Sequence, residues 1–428
     1  MNRRHFSRLL AGLAAGAELH PGRAAHGAPP SDPDPCALPE SIRALRPLTG
    51  GVVAIADAER IARLERARRL MAEQRIGALV LEPGSSMHYF TGVPWGLSER
   101  PFVAVVPARG ELAFVCPGFE EARARELMRF TDDVRVWQED ESPYRVLGGI
   151  LRDRGVAGGR VGVEERMRFF IVDALRAEVP ALEYVRADAI TTGSRMIKSP
   201  AELALMQRAN DITVAAFRAV LPTMEEGMTQ RELERRMTAA LARAGGADPW
   251  ALAGFGAYSA FPHGSVQPQQ LRRGDIVLLD AGCAVEHYQA DVTRTTVFGR
   301  PSPRQVAVWE LERKAQDSAF RAAQVGATCA SVDAAARRVI TDAGFGPDYR
   351  VPGLPHRTGH GIGLDVHEWP NFVRGERTRL QPGMCFSDEP TIVIYGEFGI
   401  RLEDCLYVTE AGPRFFTPQS PAIDQPFA

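Results

Sequence analysis

The sequence predicts an α+β protein of two domains, a smaller α/β domain followed by a larger one built on two copies of a β-hairpin. Three observations carry this. A leucine, a glycine and an acid recur at the same offsets, Leu271, Gly274 and Asp280 against Leu380, Gly383 and Glu389, each set opening an apolar strand that enters a hairpin. From about 52 to 188, helical and strand periodicities alternate. The chain has 428 residues, 45% apolar and 24% charged, enough for two large cores.

Taken in order, residues 1–28 read as a leader outside the fold. Arg3 and Arg4 precede Phe6 and a short Ala/Gly/Leu stretch, which resembles a bacterial twin-arginine signal with small residues for cleavage near 24–28. Such a signal implies export of the folded protein to the periplasm; the alternative is a basic tail on a cytoplasmic protein. Residues 29–50, proline-rich with Asp32, Asp34 and Glu40, read as a spacer. The first domain, 51–192, opens with an amphipathic helix at 57–74, then a strand at 78–81 and a hairpin of 102–106 with 112–116. Helix 119–129, strand 134–137, helix 144–154 and strand 160–164 follow. Gly158, Gly159 and Gly162 precede a strand instead of opening a helix, so they form no phosphate-binding fingerprint.

The second domain, 193–428, begins with helices at 200–221 and 229–244. Ser199 caps the first, with Pro200 in its first turn, and Thr229 caps the second toward Glu232. The first hairpin follows: an apolar strand ends at Asp280 and Gly282, and a β-rich run at 288–298 contains Asp291. A second helix pair, 304–325 and 331–343, leads to the second hairpin, with strands 384–394 and 400–408 turning at 396–399. Each hairpin holds two acids, so a pseudo-twofold axis would bring four carboxylates to one centre.

Those four, Asp280, Asp291, Glu389 and Glu403, lie where unpaired charge is costly. Two divalent cations sharing bridging carboxylates would neutralise them and hold a water between them. Histidine usage agrees. His5, His20 and His26 fall in the leader, and His88 and His287 read as loop residues. His263, His356, His360 and His367 lie in glycine- or proline-bracketed motifs, and Gly359, Gly361 and Gly363 let His360 reach a metal from a loop.

The set of Asp280, Asp291, His360 in Gly-His-Gly-Ile-Gly, Glu389 in Asp-Glu-Pro and Glu403 in Arg-Leu-Glu-Asp resembles the metal-binding pattern of the pita-bread metallopeptidases. These are the family of prolidase, aminopeptidase P and methionine aminopeptidase. The segment with Arg195, Lys198, Pro200 and Glu202 is similar to the one that opens the catalytic domain in two-domain members, and the resemblance spans about 195–409. Thr391 stands where glycine is common and Leu402 where isoleucine is usual; neither is a ligand.

The resemblance implies a pita-bread catalytic domain behind a creatinase/prolidase-type first domain. It implies two divalent ions, with Asp291 and Glu403 bridging both, Asp280 on one, and His360 with Glu389 on the other. Oxygen-dominated ligation favours manganese, with cobalt, iron or zinc also fitting. A metal-bridging hydroxide would attack the scissile carbonyl, with Glu389 as general base. His263 and His367 would bind the carbonyl or the tetrahedral intermediate, His356 would lie nearer the leaving residue, and Arg401 would orient the carboxylates. The implied activity is release of the N-terminal residue from Xaa-Pro peptides, as a dipeptidase or an aminopeptidase. One alternative keeps the fold and acts on a small non-peptide molecule, as an amide hydrolase or a lyase for an osmolyte. Another is a non-catalytic peptide-binding module, against which the intact ligand set counts. The first domain would cap the cleft and help form a homodimer, with Trp95 as the candidate contact to the partner's site; an ordinary interface aromatic is the simpler account.

Net charge is −2, so neither nucleic acid nor an anionic membrane surface is an implied partner. No internal apolar run is long enough to span a bilayer. The six cysteines show no zinc-type spacing; Cys283, Cys385 and Cys405 read as small core residues, and a Cys36–Cys116 bridge stays open.

Overall fold

The computed structural model describes residues 38–427. The leader, the start of the spacer and Cys36 lie outside the described residues. Cys116 is a buried free thiol.

The first domain is a six-stranded sheet of β1 (Ile76–Leu81), β2 (Val103–Pro107), β3 (Ala113–Pro117), β4 (Val134–Trp137), β5 (Gly159–Val163) and β6 (Leu182–Arg186), in the order β4-β3-β2-β1-β5-β6. β2 is antiparallel to β1 and β3, while the β1–β5, β5–β6 and β3–β4 pairs are parallel. β2 and β3 are buried along their whole length, as expected of strands covered on both faces. Val80, Val105 and Val115 pack with Leu147 and Ile150 of helix Pro143–Asp153 and Leu175 of helix Phe169–Glu178. Helix Asp57–Gln74 ends at Arg75, which takes the left-handed conformation at φ 56°.

Two expectations are corrected. The end of the proposed spacer is folded onto the second domain: in helix Glu40–Arg43, Ile42 is fully buried, Ser41 Oγ donates to Ala219 O, and Leu48 N donates to Ala244 O. His88 is not a loop residue; it lies in helix Ser85–Thr91, its ring 4.3 Å from that of His287. Trp95 stacks on Phe102 at 4.0 Å, with the Arg123 guanidinium 4.5 Å from its ring centre.

The second domain repeats one plan. Helices Pro200–Val220 and Gln230–Arg243 precede β7 (Ala247–Phe255), β8 (Ile276–Val285), β9 (Tyr288–Gln289) and β10 (Val292–Val297), with sheet order β10-β8-β7 and β9 paired to β8. Helices Pro303–Ala322 and Cys329–Asp342 precede β11 (Gly359–Gly361), β12 (Glu368–Phe372), β13 (Cys385–Asp388), β14 (Thr391–Ile394), β15 (Phe398–Arg401), β16 (Asp404–Thr409) and β17 (Gly412–Phe415). The repeat extends to single hydrogen bonds. Ser199 and Ser302 both close capping boxes ahead of a proline, and Thr229 and Thr328 both cap the following helix. Gly227 N donates to Leu271 O and Gly326 N to Leu380 O, each at 2.8 Å, and Gly274 and Gly383 have φ of 90° and 89°.

The second hairpin is not the pair of continuous strands expected. β13 and β16 pair in the sheet β12-β11-β13-β16-β17, whereas β14 and β15 form a separate ribbon. Pro390, which has no N–H for the ladder, marks the break on one strand, and Leu402–Glu403 marks it on the other. Glu389 and Glu403 therefore sit at facing kinks.

Candidate metal centre

Asp280 lies within β8, opposite Thr293 of β10, and Asp291 immediately precedes β10. A single bridge, with Glu403 N donating to Thr293 O at 3.2 Å, ties the kink of the second hairpin to the first. Glu389 is held from the other side, its N donating to Thr358 O at 2.9 Å. His360 comes from β11; its N donates to Ser387 Oγ at 3.0 Å, and its Nδ1 lies 3.0 Å from Gly361 O. The ring's Nε2 then faces Glu389 Oε1 at 3.2 Å and Asp291 Oδ2 at 3.7 Å. Gly359 has to be glycine, because a Cβ there would stand 2.1 Å from Ser387 O.

Three groups of side chains have donor atoms within 4.8 Å of one another: Asp280, Asp291 and Glu403; His360, Glu389 and Glu403; and Asp291, His360 and His367. Glu403 and Asp291 each belong to two groups, and the one they share with Asp280 joins the two hairpins. Asp291 Oδ1 and Glu403 Oε1 are buried with no hydrogen-bond partner in the described chain, a costly condition that a cation would relieve. Hard oxygen donors with one imidazole suit such an ion, so these residues fit divalent metals.

Burial and mutual repulsion raise the proton affinity of these acids. Burial, then the charges of Asp280 and Glu389, pushes Asp291 well above the usual carboxylate range. Burial, then Asp291 and Glu389, does the same to Glu403. Glu389 rises to about 7, burial raising it and Arg401 opposing. Thr293 links two of the acids. Its Oγ1 lies 2.8 Å from Asp280 Oδ1 and 2.6 Å from Glu403 Oε2, and it accepts from Arg401 Nε at 3.0 Å. One hydroxyl proton serves one carboxylate at a time, so Thr293 ties Asp280 and Glu403 to a single shared donor.

Arg401 donates to Asp280 Oδ2 at 2.5 Å and to Pro262 O at 3.1 Å, and its Nε is 3.8 Å from Glu403 Oε2. His356, His367 and His263 line the same cavity, of about 770 Å³. His356 has both ring nitrogens engaged, by Arg357 O at 2.6 Å and Thr391 Oγ1 at 3.1 Å, and burial lowers it to about 3. His367 is exposed and packs edge-on against the His360 ring at 4.1 Å. His263 is exposed at the rim.

Several lining residues carry no sequence signal of their own. Trp250 and Leu252 of β7 and Arg357 are three, and buried Thr293, which bonds Asp280 and Glu403, is equally silent. Arg357 donates to Asn371 Oδ1 at 3.0 Å, and among the described residues it has no carboxylate within 4.0 Å. Its place beside His356 is the only hint, and it shows only once the fold turns both residues into the cavity.

Comparison with known proteins agrees with this layout. Residues 204–410 match the model of metallopeptidase family M24, and residues 63–197 match the creatinase/prolidase N-terminal domain. An uncharacterised peptidase of Schizosaccharomyces pombe is 34% identical over 88% of this chain and 85% of its own length. A Xaa-Pro dipeptidase of Pyrococcus furiosus is 28% identical over 83% of this chain and 97% of its own. The crystal structure of a prolidase from Thermococcus sibiricus superposes with a TM-score of 0.78 at 29% identity, covering 85% of this chain and 98% of that one.

Proposed function

The chain belongs to metallopeptidase family M24, and on that premise we propose that it is a dinuclear Xaa-Pro peptidase acting on dipeptides. Its architecture is a creatinase-type first domain followed by a pita-bread catalytic domain. The observation that carries the dinuclear reading is that Asp291 and Glu403 each belong to two donor groups and each keep a buried oxygen free. In this reading they would be shared by both ions, Asp280 would hold one, and His360 with Glu389 would hold the other. Oxygen-rich donors favour manganese, with cobalt, iron and zinc as alternatives. Two such ions, when bound, acidify a shared water and polarise the scissile carbonyl.

The chain's own groups do the rest. Glu389 takes the proton of the attacking water and passes it to the leaving nitrogen. His263 and His367 hold the carbonyl oxygen, and His356 faces the leaving residue. Arg401 and Thr293 fix Asp280 and Glu403 in place, so the site needs little rearrangement. Support for a dipeptide comes from Arg357. Arg401 is committed to Asp280, whereas Arg357 faces the cavity with no carboxylate within 4.0 Å among the described residues, and a guanidinium so placed suits a free C-terminal carboxylate. Two further parts of the reading rest on sequence and resemblance: export by the twin-arginine-like leader, and a homodimer. Among the described residues, no helix is long and apolar enough to cross a membrane.

The test is hydrolysis of Ala-Pro against Ala-Pro-amide and Ala-Pro-Pro by chelated protein with manganese added back. Turnover of the free dipeptide above the other two, and only with metal, is expected. Equal rates on all three would remove the dipeptide assignment. No turnover of any Xaa-Pro substrate with metal bound would move the reading to a small non-peptide amide.

A further inference from the structure

His367 differs from His360 and His356 in how it is held. His360 and His356 have ring hydrogen bonds within the second domain, but the ring of His367 makes none among the described residues. Its backbone is gripped instead. On one side Asp365 accepts from Ser85 Oγ at 2.6 Å and from Arg195 Nη1 at 3.0 Å, and lies 3.1 Å from Arg166 Nη1. On the other side Glu368, which is buried, pairs with buried Lys198 at 3.0 Å and accepts from the amides of Leu364 and Asp365 at 3.1 and 3.2 Å. Arg166 reaches the residue itself, its Nη2 donating to His367 O at 3.2 Å. Ser85 and Arg166 belong to the first domain, and Arg195 and Lys198 to the segment that joins it to the second.

We propose that Asp365 is a positioning residue for His367, so that the first domain, through Ser85 and Arg166, and the joining segment, through Arg195, are working parts of the catalytic site. The turn 363–368 would otherwise be free to swing at an exposed position. Three contacts on one carboxylate, opposed by the Lys198–Glu368 pair, fix both ends of the residue that carries the imidazole. A shift of about 1 Å at such a group costs on the order of 100-fold in rate. Only the kinetic arm of the test rests on the peptidase reading.

The test is a double-mutant cycle in the full metal-loaded chain with Asp365→Ala, His367→Ala and both. Asp365→Ala is expected to lower kcat by about 10- to 100-fold with bound metal unchanged and KM moved by less than about threefold. In the His367→Ala background the same change should cost less than about threefold, because it acts through the missing ring. Losses that multiply independently, or wild-type kcat in Asp365→Ala, would overturn the proposal. Asp365→Asn, which keeps an acceptor for Ser85 and Arg195, should recover part of the rate and serves if the alanine variant does not fold. Hydrogen exchange over 362–369 is the second readout: faster exchange in the variant is expected, and unchanged exchange would overturn the clasp. If the wild type cleaves no Xaa-Pro peptide, the activity assignment fails while exchange still decides the clasp.

Discussion

Glu389→Gln should make the metal-free protein more stable at alkaline pH while abolishing activity. Burial raises Glu389 from 4.5 to about 7, and at 1.36 kcal/mol per unit that shift corresponds to roughly 3 kcal/mol. The sign follows from the proton count. Between those two values the native carboxyl binds more protons than the unfolded one, so raising the pH through this window weakens the native state. Glutamine does not titrate there. The stability gap between the variant and the wild type should therefore move in favour of the variant by roughly 3 kcal/mol between pH 4.5 and 8. The comparison cancels the opposing buried imidazole of His356, which is lowered to about 3 and adds stability as pH rises toward 6.5. Urea unfolding at several pH values with chelator present measures the gap. Saturating metal should shrink or reverse it, since the wild type keeps a ligand that the variant lacks. A gap independent of pH, or one that grows in favour of the wild type, would refute the claim that Glu389 is held in a site built for a cation.

Arg401→Met removes the guanidinium paired with Asp280, both ends of it buried or nearly so; the metal-free protein should lose about 3–5 kcal/mol in urea unfolding, with partial recovery on adding manganese. Gly282→Ala would place a Cβ 2.0 Å from Ala290 O, between the two aspartates of the first hairpin. It should cost at least about 1–3 kcal/mol and lower metal occupancy in elemental analysis. Arg357→Gln should reduce the preference for Ala-Pro over Ala-Pro-amide, read as a ratio of kcat/KM, by about tenfold or more, the loss of one charged hydrogen bond to substrate.

Much of the fold is legible in sequence because its elements announce their ends. Helix Asp57–Gln74 is amphipathic with acids in its first turn, and the Ser-Pro and Thr caps of the second domain mark four helix starts. Helix Phe169–Glu178 is harder to see, since Phe169 and Phe170 are exposed and blur its apolar face. The break at Pro390 is not legible in the sequence, because the apolar pattern on either side of it reads as one strand from 384 to 394, and that β13 and β14 join different partners is a tertiary fact. The carboxylates and His360 stand out because each is charged or polar in an apolar or glycine-rich run. Thr293 is an ordinary strand residue until Glu403 arrives from 110 positions away. Asp365 likewise gains its meaning only when Ser85 and Arg195 close on it.

The central claim is that two ions share Asp291 and Glu403. Titrating chelated protein with manganese under anaerobic conditions, and following bound metal and Ala-Pro hydrolysis together, tests it most directly. The account predicts about two bound ions per chain, with full activity only when both are present. Full activity at one ion or fewer per chain would contradict it.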